Sequence, residues 1–250
     1  SFGKFYLLLN GSGVGRSYDD QMMAVDWQKA KPVMQVMHAA HPDFPKTPDQ
    51  IRAFAKDWEL TDEVACGVLA SMGCGYAFLD EYRKLPKQYV VFDVEDSREG
   101  WAWAVELYET MAFNSDPRTL VLDWTAVRAK GAPIGGMQDR PASGPLSPMR
   151  GIYRFTQQVV LGPIMPLWKQ AMVVDHHLSV EVQVGGARRA ARMSTKDWKD
   201  PDILDFVYIK SKGGLWTSNN SVMVDKEFWA LQKAGDPYVC ALFDAITECS

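Results

Sequence analysis

Thr119-Leu-Val-Leu-Asp-Trp124 is a short apolar run with the length and composition of a buried strand. About twenty residues dense in glycine, proline and polar groups follow it, from Arg128 to Pro148. The next residues, 149–160, return to the apolar spacing of a helix. Loops of this length are uncommon in compact domains and are usually functional, although a plain solvent-exposed connection is the alternative.

The composition and charge of the chain exclude several classes of protein. Of 250 residues, 47% are hydrophobic and 23% are charged, which excludes collagen, coiled coil and simple disorder. The net charge is -4, so no global basic field exists to hold a nucleic-acid backbone. The longest apolar run, from Ala65 to Leu79, is shorter than a membrane span requires, and no signal peptide is visible. We therefore expect a cytoplasmic protein with neither a nucleic-acid nor a membrane partner.

Three alternating glycines near the amino terminus, Gly11, Gly13 and Gly15, follow an apolar stretch that is typical of a helix. Glycine permits positive φ and a close approach of the backbone to a ligand. Without a clear strand before them and a helix after them, they do not form the dinucleotide-binding fingerprint. Farther along, Ser143 and Gly144 precede a predicted helix, so that nearby backbone amides could present an anion site at its N-terminus.

A second glycine-rich stretch, GGARRAAR over 185–192, is basic on a slightly acidic chain. Gly185 and Gly186 free the backbone there. The guanidinium groups of Arg188 and Arg189 offer planar forks for phosphate or stacking surfaces for a base. Surface ion pairs of these arginines are the alternative.

The segment before this stretch, residues 175–184, is ambiguous. Its apolar residues alternate from Leu178 to Val184 as in a strand, whereas the glycines that follow could equally end a helix. Periodicity alone favours a strand. The adjacent His176 and His177 lack a carboxylate at a useful spacing and are interpreted as structural.

The four cysteines occur as two pairs, Cys66 with Cys74 and Cys240 with Cys249. None forms a CxxC motif or lies near a histidine at ligand spacing, so no metal site is expected. Thr61 is a plausible N-cap of a helix along which Cys66 and Cys74 would lie ~12 Å apart, too far for a disulfide. We expect four reduced and mostly buried thiols.

Residues 21–117 differ in texture from the rest of the chain, with frequent prolines and several short amphipathic segments. We interpret them as an inserted subdomain. One of its helices is predicted to be capped by Asp96, with Glu99 three residues on. Apolar residues at helical spacing from Trp101 to Ala112 then form one buried face.

Several motifs together, each weak alone, resemble a known family. Their order along the chain is similar to that of the large catalytic chain of ribonucleotide reductase, and most closely to the adenosylcobalamin-dependent (class II), monomeric, triphosphate-reducing type. The resemblance spans essentially the whole chain. The motifs are GSGVG at 11–15, EDSREGW at 95–101, the glycine pair at 135–136, RPASGP at 140–145, GGARRAA at 185–191, DPD at 200–202 and WTSNNSVMVD at 216–225.

This resemblance implies a fold and a division of the chain. The fold is α/β, part of the ten-stranded α/β barrel of ribonucleotide reductases, with an inserted mainly helical subdomain. Residues 1–20 and 118–250 would form the partial barrel with its specificity loops, and 21–117 the inserted effector-site subdomain that imitates a dimer partner. The resemblance also favours a helix over 175–184.

The resemblance further implies nucleotide-binding residues and a cofactor. Residues 128–145 look like the first specificity loop, which holds a deoxynucleotide effector, and 185–191 like the second, which contacts the effector base and the base of the ribonucleotide substrate. The family's thiyl radical is generated from adenosylcobalamin. The implied nucleotide-binding residues are Gly11, Gly13 and Gly15 beside the substrate, Arg140, Ser143 and Gly144 in the first loop, and Gly185, Gly186, Arg188 and Arg189 in the second.

One departure from the family concerns catalysis. No stretch like NPCGE, which carries the radical cysteine, occurs in the chain, and none of its four cysteines matches the redox pair. The resemblance therefore implies no catalytic residue in this chain. We expect it to be inactive alone and to need a complementary reductase polypeptide, without which a partial barrel exposes sheet edges. The abrupt ends at Ser1 and Ser250 suggest a section of a longer or multi-chain enzyme. A non-catalytic nucleotide-binding sensor is the alternative.

Overall fold

The computed structural model describes residues 2–134, 140–182, 191–211 and 213–249, the side chains of Phe2 and Arg140 excepted. Two 3-10 turns (Asp20–Met22 and Trp27–Lys29) and a π-helical turn (Thr156–Val160) accompany the regular elements. The helices are α1 (Phe2–Leu9), α2 (Pro48–Trp58), α3 (Asp62–Ala77), α4 (Leu79–Arg83), α5 (Arg98–Phe113), α6 (Leu146–Phe155), α7 (Leu167–Glu181), α8 (Ile203–Tyr208), α9 (Lys226–Ala234) and α10 (Pro237–Glu248). The strands are β1 (Val14–Ser17), β2 (Met34–Val36), β3 (Tyr89–Asp93), β4 (Thr119–Asp123), β5 (Pro133–Ile134), β6 (Arg140–Pro141), β7 (Arg192–Asp197) and β8 (Ser218–Met223).

Two parallel three-stranded sheets organise the fold. The first has the order β1-β7-β8, with Val14 opposite Arg192 and Arg192 opposite Ser218. The second has the order β2-β4-β3, and all its pairings are also parallel. The predicted buried strand is β4, the centre of the second sheet, which confirms that prediction. Parallel sheets covered by helices agree with the expected α/β class.

The second sheet crosses the predicted boundary at residues 117 and 118. Strand β4 follows that boundary, whereas its neighbours β2 and β3 both come from 21–117. Backbone hydrogen bonds therefore join β4 to the residues interpreted as an insertion. The division of the chain into two units, residues 1–20 with 118–250 and residues 21–117, stays a prediction.

Helix α7 lies where periodicity favoured a strand. It continues to Glu181, so the strand was wrong and the helix implied by the resemblance is confirmed as far as the structure describes the segment. Twelve of its fifteen residues are buried. A helix that is buried on nearly all sides lacks the exposed polar face that would reveal a 3.6-residue period in its sequence. The apolar residues that alternate over this segment therefore suggested a strand by chance.

Helix α7 also contributes to both of the larger hydrophobic clusters of the molecule. Val173, Val174 and Leu178 pack in the cluster that includes α1, α5, α6 and the second sheet. Trp168 and Met172 pack in the cluster formed with α8, α9 and α10. The helix is therefore the wall that the two cores share.

The caps of two helices test the sequence predictions. Thr61 does cap α3, accepting from the amide of Val64. Asp96 does not cap α5, so that prediction was wrong: Ser97 accepts from the amide of Gly100 at 2.9 Å. The Asp96 carboxylate instead accepts from Nε of Arg128 at 2.7 Å, a charged partner that the local sequence does not reveal.

The cysteines are all free, but the expectation that most are buried was wrong. Cys66, Cys74 and Cys249 are exposed, and Cys240 is half-buried. The buried stripe of α3 consists of Ala65, Leu69, Met72 and Gly75, so its two cysteines point elsewhere. No helix in the described ranges is long and apolar enough to cross a membrane.

Candidate functional site

A surface cleft lies at the amino ends of the first sheet. Strands β1, β7 and β8 run parallel and begin in register, so their first residues meet at one edge. The cleft is open to solvent and has a volume of about 490 Å³. Its lining brings together residues from three separate parts of the sequence: Gly13, Val14, Gly15, Ala191, Arg192, Met193, Trp216, Thr217, Ser218 and Asn219.

The predicted glycines take different roles at this cleft. Gly11 follows α1 with a φ of 78°, a left-handed conformation that favours glycine. Among the described residues, a Cβ at Gly15 would meet nothing within 4 Å, and one at Gly13 would meet only Ala191 at 3.8 Å. The protein's own packing therefore does not require glycine at positions 13 and 15, which leaves room there for a ligand.

A buried charged cluster lies behind the cleft, centred on Asp175 of α7. The Asp175 carboxylate accepts from Nζ of Lys4 at 2.8 and 2.9 Å, from Arg16 at 2.9 Å and from the Tyr18 hydroxyl at 2.7 Å. Burial would raise the pKa of Asp175, but the positive charges of Lys4, Arg16 and Arg192 hold that pKa well below its usual range. Asp175 is therefore ionised and binds α1 and β1 to α7.

Thr217 links the next residue of α7 to the first sheet. Its hydroxyl oxygen accepts from Arg192 at 2.9 Å and lies at hydrogen-bond distance, 2.8 Å, from Nδ1 of His176. Burial, and then the positive Arg192, lower the pKa of His176 to about 4. Burial likewise lowers the pKa of His177 to about 3, and its Nε2 lies 2.9 Å from Oε1 of Gln158. Both histidines are neutral near pH 7 and structural, as interpreted from the sequence.

A second, larger groove of about 720 Å³ lies beside the predicted first specificity loop. Ser143 lines it together with residues of α2 and of the N-terminal turns of α6. The groove thus joins residues of the predicted insertion to the loop. Its lining residues are Pro42, Asp43, Phe44, Pro45, Gln50, Ala53, Phe54, Asp57, Lys130, Gly131, Pro141, Ala142, Ser143, Leu146, Ser147 and Arg150.

Gly144 holds one wall of this groove in place. Its φ is 74°, and an added Cβ would lie 2.3 Å from the Asp43 carboxylate and 2.8 Å from the Lys130 amide nitrogen. That amide donates to Asp43 at 2.8 Å. Only glycine permits this contact between the loop and the segment before α2.

The end of α7 is tied to the same groove through Glu181. Its carboxylate accepts from the Ser147 hydroxyl at 2.9 Å and from two nitrogens of Arg150 at 2.8 and 2.6 Å. Arg150 also forms an ion pair with Asp57 of α2. Ionic contacts therefore run from α2 across α6 to the last residue of α7.

Five of the ten predicted site residues lie at the cleft or at the groove. Gly11, Gly13 and Gly15 lie in or beside the cleft, and Ser143 and Gly144 lie in or beside the groove. The backbone of Arg140 pairs in β6 with Ile134. Gly185, Gly186, Arg188 and Arg189 lie outside the described residues; Ala191, next after that segment, lines the cleft.

Several residues of these two sites had no sequence signal. Asp175, Thr217, Glu181 and Asp57 are single polar residues, and only tertiary contacts bring them to the sites. Arg192 ends the basic GGARRAAR stretch, which could have suggested it. Within the described residues, no group of three or more His, Cys, Asp or Glu could hold a metal ion.

Comparisons with known proteins point to one family. No protein-family model matches the chain. A protein of Mycobacterium phage D29, provisionally named adenosylcobalamin-dependent ribonucleoside-triphosphate reductase, is 30% identical over 92% of this chain and 32% of its own length. The adenosylcobalamin-dependent ribonucleoside-triphosphate reductase of Lactobacillus gasseri is 29% identical over 67% of this chain and 24% of its own length. The one from Levilactobacillus brevis is 28% identical over 60% of this chain and 22% of its own length.

A solved structure shares the fold. The crystal structure of a B-12 dependent (class II) ribonucleotide reductase matches 94% of this chain and 30% of its own chain, with a TM-score of 0.64 and 22% sequence identity. The chain thus spans a third or less of the length of the proteins that it matches. The α/β fold is part of the fold seen in that structure.

Proposed function

Because the chain belongs to the ribonucleotide reductase family, we propose that it is the nucleotide-recognising section of an adenosylcobalamin-dependent ribonucleoside-triphosphate reductase. The relatives are of this type by name. One observation carries the proposal. Residues from three distant parts of the sequence form the cleft, and residues from the loop and from 21–117 form the groove, as separate substrate and effector sites require.

The cleft at the first sheet is the proposed substrate side. Gly13 and Gly15 leave the backbone at the start of β1 open to a ribonucleotide, since no atom of the described residues fills the space of their missing side chains. Asn219 and the exposed Trp216 lie on the same cleft and offer an amide and a ring for recognition of a sugar or a base. Arg188 and Arg189 would contact the base from the segment that precedes Ala191.

The groove beside α6 is the proposed effector side. It offers the Phe54 ring as an apolar surface and Lys130 as a positive charge, which suit the base and the phosphates of a deoxynucleotide. The Ser143 hydroxyl lies on the same groove. Asp43 and Asp57 also line it, and Arg150 is already paired with Asp57 and Glu181, so the phosphates of a ligand would approach the Lys130 ammonium.

The proposed reaction needs residues that this chain lacks. Two cysteine thiols reduce the ribonucleotide by forming a disulfide, and the 2′-hydroxyl leaves as water, so the substrate gains two electrons. No cysteine lies among the described residues that line the cleft or the groove. A complementary polypeptide would therefore supply the radical cysteine and the redox pair, and the product would serve DNA replication.

The described residues do not fit a cobalamin site, so no step is derived through the cofactor. Adenosylcobalamin supplies the radical when it is bound elsewhere in the complete enzyme. His176 and His177 are buried against Thr217 and Gln158, and Nε2 of His41 lies 2.8 Å from the carbonyl oxygen of Val127. Nδ1 of His38 accepts from the Ala40 amide. We also propose a cytoplasmic location, because all four thiols are free.

Reconstitution tests the proposal. The chain is mixed with the complementary polypeptide, adenosylcobalamin, a dithiol and a ribonucleoside triphosphate, and deoxynucleotide is measured by chromatography. We expect turnover only in the complete mixture. A stable complex without turnover that still binds deoxynucleotides would favour the sensor, and a chain that binds no nucleotide would contradict both functions.

The second specificity loop has its own test in the same assay. Arg188→Ala is expected to change the dependence of substrate choice on effector identity tenfold or more, since a guanidinium contact to a base contributes about 1–3 kcal/mol. Arg52→Ala, an exposed arginine on α2 outside both sites, is the control. Unchanged selectivity in the Arg188 variant would show that the loop is misplaced.

A further inference from the structure

Helix α7 touches both proposed sites. Its last residue, Glu181, contacts Ser147 and Arg150, which line the groove. Six residues earlier, Asp175 and His176 contact the first sheet at the back of the cleft. At ~1.5 Å per residue, about 9 Å of helix separates the two sets of contacts.

The contacts at the cleft end hold strands that carry the site. Asp175 accepts from Arg16 and Tyr18 of the β1 segment, and the Tyr18 hydroxyl accepts from Arg192 at 2.7 Å. Arg192 lies 4.0 Å from Asp175 and donates to Thr217, which His176 also contacts. Two adjacent residues of α7 are thereby connected to β1, to the first residue of β7 and to the residue that precedes β8.

The contacts at the groove end make α6 and α7 one rigid pair. A Cβ at Gly151 of α6 would lie 2.9 Å from Cγ of Glu181 and 3.1 Å from the His177 carbonyl oxygen, so the two helices are in close backbone contact. Glu181 is 3% exposed, and its bonds to Arg150 are bidentate. Movement of α6 would therefore move α7 with it.

Two residues of this network flank the segment 183–190, which lies outside the described residues. Glu181 is two positions before the segment, and Arg192 is two positions after it. A ligand that shifts Arg150 or Ser147 would thus change the position of Glu181. The same rigid helix would change the anchors of Arg192 and Thr217 in the cleft.

We propose that α7 transmits the occupancy of the groove to the cleft, with Glu181 and Asp175 as positioning residues at its two ends. The inference rests on the proposed function, because it assigns the two ligands to these two sites. The resemblance to the family implies that the segment 185–191 contacts both ligands. The contacts of α7 with its neighbours are a second route between the two sites. The route is a specific physical connection, so breaking it at either end should reduce the coupling between the sites.

Calorimetric titration of the 250-residue chain tests this route. The Kd of a deoxynucleoside triphosphate is measured with and without a saturating ribonucleoside triphosphate, and the ratio is the coupling factor. We expect a factor on the order of 5 or more in the unaltered chain. Asp175→Asn and Glu181→Gln should each bring the factor close to one, whatever change either variant causes in the Kd of a single ligand.

Two further variants make the outcome interpretable. Asp116→Asn breaks an aspartate–arginine pair with Arg118 outside α7 and should leave the coupling factor unchanged. Tyr18→Phe removes the hydroxyl between Asp175 and Arg192 with little change in volume, and it replaces Asp175→Asn if that variant does not fold. It should lower the coupling by at least half.

The possible failures are distinct. If the unaltered chain binds neither nucleotide, the proposed function and this inference both fall. If both nucleotides bind but the coupling factor is one, or if folded Asp175, Glu181 or Tyr18 variants keep the original factor, only the inference is overturned. If these residues have a purely structural role, their variants will have a lower melting temperature and an unchanged coupling factor. That result would also overturn the inference.

Discussion

Gly144 shows how a single missing side chain shapes a site. Its positive φ and the atoms of Asp43 and Lys130 around it leave no space for Cβ. The local motif RPASGP marks the residue, but the close neighbour Asp43 is 101 positions away along the chain. Sequence alone therefore indicates a turn here and not the contact that the turn permits.

Gly144→Ala is expected to destabilise the protein by about 2–4 kcal/mol, because a left-handed alanine and a displaced Asp43 both raise the folded-state energy. Gly131→Ala is the matched control. Gly131 also has a positive φ, of 87°, but no atom lies within 4 Å of its added Cβ. Urea unfolding should give a loss of only about 1 kcal/mol for the control, and equal losses would contradict the predicted clash.

His176 makes stability depend on pH. Its folded pKa of about 4 is below the ordinary value of 6.5, so the unfolded chain binds the proton more readily. Stability from this group is complete above pH 6.5 and is lost as the pH falls toward 4, by roughly 3 kcal/mol. His176→Gln should flatten urea-derived unfolding free energies between pH 6.5 and 4. An unchanged slope would show that His176 is already protonated in the folded protein.

At the scale of elements, helix α7 is the clearest case of packing that sequence patterns do not reveal. Its contacts with α6 are close because Gly151 has no side chain. Its polar residues Asp175, His176 and Glu181, which look isolated in sequence, have partners on other parts of the chain. The helix is therefore specified by its surroundings more than by its own amphipathicity.

Gly151→Ala should separate α6 from α7 and destabilise the protein by about 1–3 kcal/mol, as is usual for overpacked cores. Gly67→Ala on α3 is the same substitution in a helix where nothing lies within 4 Å of the added Cβ. It should stabilise the protein by up to about 1 kcal/mol through helix propensity. Thermal unfolding distinguishes the two, and shifts of the same sign would refute the close contact.

For the whole molecule, the sheets and cores form one connected structure. The second sheet draws strands from both sides of residue 118, and α7 belongs to both large clusters. Within the described ranges, β8 pairs only with β7, so its other edge is open. Met223 at its end is 52% exposed. An open edge of this kind can pair with another chain.

The isolated chain is expected to self-associate at this edge at high concentration. Met223→Lys should shift size-exclusion chromatography with light scattering toward monomer, because a charge at an edge strand opposes pairing. Met22→Lys is the control, since Met22 is equally apolar and 63% exposed but lies in a 3-10 turn. A monomeric unaltered chain, or the same shift for both variants, would refute edge pairing.

Local patterns predicted those parts of the fold that depend on nearby residues. The strand β4, the N-cap of α3 and the glycine turn follow from short-range propensity and turn chemistry, and the order of motifs indicated the family. The predicted cap of α5 was wrong, because Asp96 pairs with the distant Arg128 and Ser97 caps the helix. The predicted burial of the cysteines was wrong, because distant residues decide which face of a helix is buried.

By itself, the sequence determined the class of fold, the family and the glycine-rich segments at which nucleotides are proposed to bind. Only the tertiary structure decided that α7 is buried between two cores, that β4 joins strands of the predicted insertion, and that Asp175 and Glu181 contact residues of the cleft and the groove. The physical reason is the range of the interactions. Turns and strands are specified by neighbours in sequence, whereas burial and ion pairing depend on residues that only the folded chain brings together.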